Sequence, residues 1–252
     1  MRATILQVNT FWGKPSENQT HAEEQIKQAP HSSLYILPEM WNTGFASTPF
    51  GIAEKLEECH KAGSLAWMIK TARKYDAAIC GSLSLEIENG KYANRCYFVC
   101  PDGSYSYYDK KHLFFGGDEN RNYIAGNKRT IIEYQGIRFM LLVCYDLRFP
   151  VWSRNNEDYD AIIYVANWPR ARQEAWEILL KARAIENQCY VLGANRIGKD
   201  ILCKYSGGSC IVSPYGKHLS SCGDIEGFAS AELNIESLRH FRKEFPVLKD
   251  RD

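Results

Sequence analysis

The sequence predicts an α/β fold on three observations. Apolar runs of strand length recur along the 252 residues, and segments with apolar residues at helical spacing separate several of them. The order β-α-β followed by a meander occurs once before the loop around Lys110 and once after it, with no visible sequence repeat. Two such halves imply two mixed sheets packed together with helices outside.

In chain order, residues 3–9 read as the first strand, followed by a polar helix from Ser16 to Ala29. Ser16 suits its N-cap, and Ala22, Ile26 and Ala29 mark a weak apolar face. A strand at 34–37 ends at Pro38-Glu39, where regular pairing stops. Residues 64–75 fit a second helix, with Ser64 as cap and Leu65, Met68, Ile69 and Ala72 on one face. Strands follow at about 77–84, 94–100 and 104–108, joined by turns at Asn89-Gly90 and Asp102-Gly103. Strands at 130–134 and 137–143 flank Gln135-Gly136, and Pro150-Val-Trp opens a short helix. A buried strand at 160–166 leads to the clearest helix, about 172–188, with Ala175, Ile178, Leu179, Ala182 and Ile185 along one stripe. Strands near 189–195, 209–213, 217–222 and 227–234 close the chain, with Pro214-Tyr-Gly216 as a tight turn.

The length suits a single domain over 1–252 with an ample core, since no linker or low-complexity stretch interrupts it. A C-terminal tail from about residue 236 mixes charge with Phe241, Phe245 and Leu248, and a frayed end is one reading of it. With 31 basic against 30 acidic residues, the balance gives no general pull toward nucleic acid or acidic membranes. The apolar run at Ile5 to Val8 is too short for a signal-peptide core or a membrane span. Nine cysteines, none in a Cys-x-x-Cys pair, show no zinc spacing. They point to a reducing, cytoplasmic setting.

Three strand ends carry chemistry-bearing residues. Phe139 to Val143 is a buried run that ends in Cys144 and turns at once through Tyr145-Asp146 toward Pro150. A thiol placed there is held from behind and open in front, although a free cysteine is often simply a core residue. The run at 34–37 delivers Glu39, and the aromatic strand Tyr105 to Tyr108 runs into Asp109-Lys-Lys-His112. A carboxylate, an ammonium and a thiol are thus offered together, with three unrelated loop charges as the alternative.

These residues and their order resemble the nitrilase (carbon–nitrogen hydrolase) superfamily, most of all its omega-amidase branch. The matching segments are Pro38-Glu39, Tyr108-Asp-Lys-Lys-His-Leu-Phe114, Cys144-Tyr-Asp-Leu-Arg-Phe-Pro150, Ala166-Asn-Trp-Pro169 and Ala194-Asn-Arg-Ile-Gly198. The resemblance spans nearly the whole chain. It implies a four-layer α-β-β-α sandwich of two mixed sheets, a Glu-Lys-Cys triad, no metal or organic cofactor, and a homodimer whose tail reaches across the interface. By position, Cys144 is the nucleophile, Glu39 the general base and Lys110 the family lysine. The family lysine stands two residues before the histidine, which is Lys110, so the adjacent Lys111 falls outside the triad. A second glutamate of the family matches Glu119, with Asp118 adjacent. Arg148 suits a substrate carboxylate or, alternatively, an internal acid. Trp168, Phe45, Phe115 and Tyr145 are candidate pocket walls, and no functional role is assigned to Arg196.

The chemistry so implied is amide hydrolysis through a thioester. Glu39 takes the thiol proton, Lys110 and the Tyr145 backbone N–H stabilise the oxyanion, ammonia leaves, and water completes the cycle. The expected substrates are small ω-amides of 2-oxo dicarboxylic acids, 2-oxoglutaramate and 2-oxosuccinamate. The same triad also serves N-carbamoyl amino acid hydrolysis and deaminated-glutathione amidase activity, so the fold constrains mechanism more than substrate. A catalytically idle binding protein is disfavoured because every triad position is filled.

Overall fold

The computed structural model describes residues 1–156 and 158–251; Glu157 and Asp252, the last residue of the expected tail, lie outside the described residues. The first half lays down β1 (Arg2–Gln7), α1 (Pro15–Gln28), β2 (Leu34–Ile36), β3 (Glu54–Lys55), α2 (Leu56–Lys61) and α3 (Ser64–Tyr75). It continues with β4 (Ala78–Glu88), β5 (Lys91–Val99) and β6 (Tyr105–Asp109). The second half holds a one-turn α4 (Glu119–Asn122), β7 (Ile131–Tyr134), β8 (Ile137–Val143), α5 (Pro150–Ser153), β9 (Ala161–Ala166) and α6 (Gln173–Glu186). It closes with β10 (Tyr190–Asn195), β11 (Ile197–Lys199), β12 (Lys204–Ser206), β13 (Cys210–Val212), β14 (His218–Ser221), β15 (Gly227–Glu232) and α7 (Ile235–Glu244).

Two mixed sheets result. One is ordered β15-β1-β2-β4-β5-β6 with β3 paired to β4, the other β14-β13-β10-β9-β8-β7, and β11 and β12 form a separate hairpin. In the first sheet β1, β2 and β4 run parallel, and in the second β8, β9 and β10 do. The strand period of two sorts their side chains between layers. Ala3, Ile5, Leu34, Ile36, Ala78 and Cys80 join a core shared with the second sheet. The alternate residues Leu6, Tyr35, Leu37 and Ile79 pack instead with Ala22 and Ile26 of α1 and Leu65, Met68 and Ala72 of α3. Trp176, Leu180 and Ala184 of α6 cover the far side of the second sheet. The layers are therefore α-β-β-α. Among the described residues no helix is long and apolar enough to cross a membrane.

Several expectations are corrected. Neither Ser16 nor Ser64 caps its helix: Lys14 and Gly63 are the N-cap residues, without side-chain cap bonds. The Ser64 N–H is satisfied by the Glu54 carboxylate at 3.2 Å, a partner ten residues away that local sequence does not announce. The apolar stripe expected to bury α6 is rotated. Ile178 and Ile185 are 56% and 55% exposed, whereas Trp176, Leu180, Arg183 and Ala184 are buried. The reason lies in β10, where a Cβ on Gly193 would come within 2.6 Å of Leu180 and 3.0 Å of Trp176. The missing side chain makes the notch that admits both. The Trp176 indole donates to Gly208 O at 2.8 Å, and buried Arg183 donates to Leu147 O at 2.6 Å.

The tail is not frayed. It forms α7, capped by the Asn234 side chain at Ser237 N. Arg242 donates to Asp160, Tyr159 O and Gln188 O of the same chain at 2.7–3.0 Å.

Candidate active site

Four strand ends, two from each sheet, converge on one place. Glu39 lies just past β2, Lys110 just past β6, Cys144 just past β8 and Asn167 just past β9. This is the usual position for sites in α/β proteins, where strands stop and backbone groups and loops become free. Glu39, Lys110 and Glu119 are all buried. The Lys110 ammonium donates to Glu39 Oε1 at 2.8 Å and to Glu119 Oε1 and Oε2 at 3.0 and 2.8 Å. The Asn94 side chain, from the middle of β5, donates to both carboxylates at 2.7 and 2.9 Å. Glu39 Oε2 also accepts from Asn167 N–H at 2.8 Å, and Glu119 Oε2 from Phe114 N–H at 2.7 Å.

One ammonium between two carboxylates leaves an excess negative charge away from water, and the titration directions follow. Burial opposes the charge on Lys110, but Glu119 and Glu39 outweigh it and hold the pKa well above the ordinary lysine value. Burial raises the Glu119 pKa, Lys110 opposes the rise, and Glu39 adds to it. For Cys144, burial first and the Glu39 charge second push the thiol well above its usual pKa, against the pull of Lys110. These influences favour the thiol over the thiolate at Cys144.

Cys144 sits at φ 46°, in the left-handed region, which costs a non-glycine residue about 1–3 kcal/mol. The strain is held by Asp146, a buried carboxylate two residues on. It accepts from Val143 N–H at 3.0 Å, Tyr108 OH at 2.8 Å, His112 N–H at 2.9 Å and the His112 ring at 2.7 Å. The His112 ring in turn stacks on Phe149 at 3.8 Å. Asp146 thereby joins the thiol's turn to the lysine's loop.

A pocket of about 650 Å³ opens onto Cys144, Lys110 and Asn167. Phe45, Tyr145, Arg148 and Trp168 line it, as sequence suggested, but Phe115 does not. Phe115 is 75% exposed, and the preceding Phe114 takes the pocket position with its ring 5.2 Å from Tyr145. The two-fold alternation of an aromatic pair at a loop cannot be set from sequence, so the neighbouring ring was the one expected. Of the adjacent acids, Glu119 enters the buried cluster, while Asp118 pairs with Arg121 at 3.1 Å on the surface. Among the described residues Arg148 has no internal acid partner; it is exposed and lies 5.1 Å over the Trp168 ring. Lys111 stays outside the cluster, over Trp152. Arg196 is buried and donates to Thr10 O and Ile197 O, tying β10 and β11 to the segment after β1.

Asn94, Asn167, Asp146, His112, Phe114 and Arg172 complete the surroundings and were not singled out from sequence. Asp146 and Asn167 stand inside segments that carried the resemblance, so a signal existed for them. Asn94 sits within a regular strand and offered none.

The model of the family described as carbon-nitrogen hydrolase matches residues 2–243. The omega-amidase YafV of Escherichia coli (strain K12) is 41% identical over 254 residues, covering 100% of this chain and 97% of that protein. A 2-oxoglutaramate amidase of Bacillus subtilis is 35% identical over 257 residues, covering 99% and 98%. Among solved structures, a CN-hydrolase superfamily protein of Xanthomonas campestris, with an arsenic adduct in its active site, superposes with a TM-score of 0.94. It is 37% identical to this chain, with 100% and 97% covered.

Proposed function

The chain belongs to the carbon–nitrogen hydrolase family, and from that premise we propose that it is a cysteine-dependent omega-amidase. It hydrolyses small ω-amides of 2-oxo dicarboxylic acids, 2-oxoglutaramate and 2-oxosuccinamate, to the acid and ammonia. The observation that carries this reading is a thiol and an ammonium lining one pocket, the ammonium paired with the buried Glu39 carboxylate, with arginine on the pocket wall. The full-length similarity to an omega-amidase and a 2-oxoglutaramate amidase supports the substrate class.

Cys144 Sγ attacks the amide carbonyl while Glu39 takes the thiol proton. This coupling suits a thiol whose pKa is raised, since the thiolate need not exist beforehand. The oxyanion receives a Lys110 N–H and the Tyr145 backbone N–H. Protonated Glu39 returns its proton to the leaving nitrogen, and ammonia departs. Glu39 then deprotonates the water that cleaves the thioester, restoring the thiol. Glu119 holds Lys110 in place, and Arg148 takes the substrate carboxylate. The walls are Trp168, Phe45, Phe114 and Tyr145.

The test is ammonia release from 2-oxoglutaramate, 2-oxosuccinamate, glutamine, asparagine, a carbamoyl amino acid and a simple nitrile, with Cys144→Ala as blank. Turnover confined to the oxo-acid amides and lost in the variant is expected. Release from the carbamoyl compound alone would move the substrate while keeping the triad, and silence across the panel would sink the proposal.

We also propose a homodimer, supported by Ile178 and Ile185 exposed on the outer face of α6. Nine cysteines in a protein that needs one of them free favour a reducing compartment, so the enzyme is placed in the cytoplasm.

A further inference from the structure

The pocket holds a second arginine that the chemistry above does not use. Arg172, just before α6, lines the same pocket as Arg148, with its guanidinium 5.2 Å over the Phe114 ring. The two are joined through one side chain: Arg148 stacks on Trp168, and the Trp168 indole donates to Arg172 O at 2.7 Å. Among the described residues, neither guanidinium has an ion pair or a hydrogen bond. The other charged groups of the pocket are taken up elsewhere. Lys110 is held by Glu39 and Glu119, and Asp118 is paired with Arg121. Two positive groups lining one cavity, whose lining acid Asp118 is paired with Arg121, repel each other until an anion arrives. Lying over a ring holds each guanidinium at the pocket wall by a cation–π contact while leaving its N–H donors free.

We propose that Arg172 is the residue that recognises the 2-oxo group, so that the arginine pair selects 2-oxo acids over 2-amino acids. The inference rests on the omega-amidase reading and adds to it the source of its selectivity. A 2-oxo acid presents three oxygen acceptors on adjacent carbons. One guanidinium, Arg148, accommodates the carboxylate bidentately, and the second meets the neighbouring oxo oxygen. In glutamine that position carries an ammonium, which offers no lone pair and faces two guanidinium charges. Discrimination thus uses repulsion of the wrong substrate as well as attraction of the right one.

The test compares kcat/KM for 2-oxoglutaramate, 4-carbamoylbutanoate (the same chain without the oxo group) and glutamine, in the wild type, Arg172→Gln, Arg172→Lys and Arg148→Gln. Arg172→Gln is expected to lower 2-oxoglutaramate turnover by about 10- to 100-fold, the range a charge-assisted hydrogen bond carries. It should lower 4-carbamoylbutanoate turnover distinctly less, because that substrate loses only the pull of the charge on its carboxylate and no hydrogen bond. Arg172→Lys keeps the charge and should still reject glutamine. Arg148→Gln should lower 2-oxoglutaramate and 4-carbamoylbutanoate alike. Equal losses on the oxo and non-oxo chains in Arg172→Gln would overturn the assignment, as would no loss on either. Wild-type silence on 2-oxoglutaramate would instead refute the omega-amidase premise, a result separable from failure of the arginine assignment alone.

Discussion

At the scale of residues, the site is a problem of too many charges in too little water. Removing Lys110 would leave two buried carboxylates facing each other, a change of the kind that costs about 3–5 kcal/mol, so Lys110→Met tests folding as much as chemistry. Glu39→Gln is more informative because it keeps the shape. Burial holds the Cys144 pKa up, and Glu39 adds to it, while Lys110 acts in the opposite sense. Neutralising Glu39 removes a raising influence and leaves the lowering one. The thiol pKa should therefore fall in Glu39→Gln, measured by thiolate absorbance against a Cys144→Ala blank. In the wild type, alkylation of Cys144 by iodoacetamide should keep accelerating as pH rises past 9, the ordinary value for a thiol, and the variant's curve should lie at lower pH. Yet the variant should lose amide hydrolysis by several orders of magnitude, having more thiolate but no group to move protons. A thiol pKa that rises in the variant would contradict the arrangement of charges.

At the scale of elements, α6 shows how a helix can mislead. Its apolar stripe at Ala175, Ile178, Leu179, Ala182 and Ile185 has helical spacing, but the buried face includes Trp176 and a charged Arg183. Counting apolar residues treats an arginine as surface, whereas Arg183 finds Leu147 O and Glu186 and so can be buried. Trp176→Ala should cost about 3–5 kcal/mol, as large-to-small core changes do. Ile178→Ala should stay within about 0.5 kcal/mol in the monomer. Urea denaturation of both variants measures the difference, and equal costs would return the helix to the orientation its sequence suggests. The strands were more legible: β8 begins and ends at residues 137 and 143, as expected from its apolar run. Short α2 and the β11–β12 hairpin were not anticipated, since their few residues carry too little periodicity to separate from loop.

At the scale of the whole molecule, the two sheets are joined by the shared core of Ile5, Ile36 and Phe98 against Leu141, Ile163 and Leu192. The site spans that junction, with Glu39 and Lys110 delivered by one sheet and Cys144 and Asn167 by the other. Its geometry therefore depends on how the sheets seat against one another. The outer face of α6 has a different consequence. If a second copy covers Ile178 and Ile185, then Ile178→Asp with Ile185→Asp should convert a dimer to a monomer by light scattering after size-exclusion chromatography. An unchanged mass would assign the dimer contact to another surface, and a monomeric wild type would remove it.

The sequence by itself determined the alternation of strands and helices, the apolar runs that end at Glu39, Lys110 and Cys144, and the family resemblance of those ends. These are local properties: strand and helix periods are written in neighbouring residues, and a polar residue closing an apolar run marks a chain leaving the core. The tertiary structure alone decided which face α6 buries, that Phe114 and not Phe115 faces the pocket, and that Asn94 bridges two carboxylates. Those outcomes depend on partners outside the local stretch, such as Gly193 of the next strand for α6, Tyr145 for Phe114 or Glu39 for Asn94. Contacts of that kind are set by packing and by the need to satisfy buried charge, and no local pattern records them.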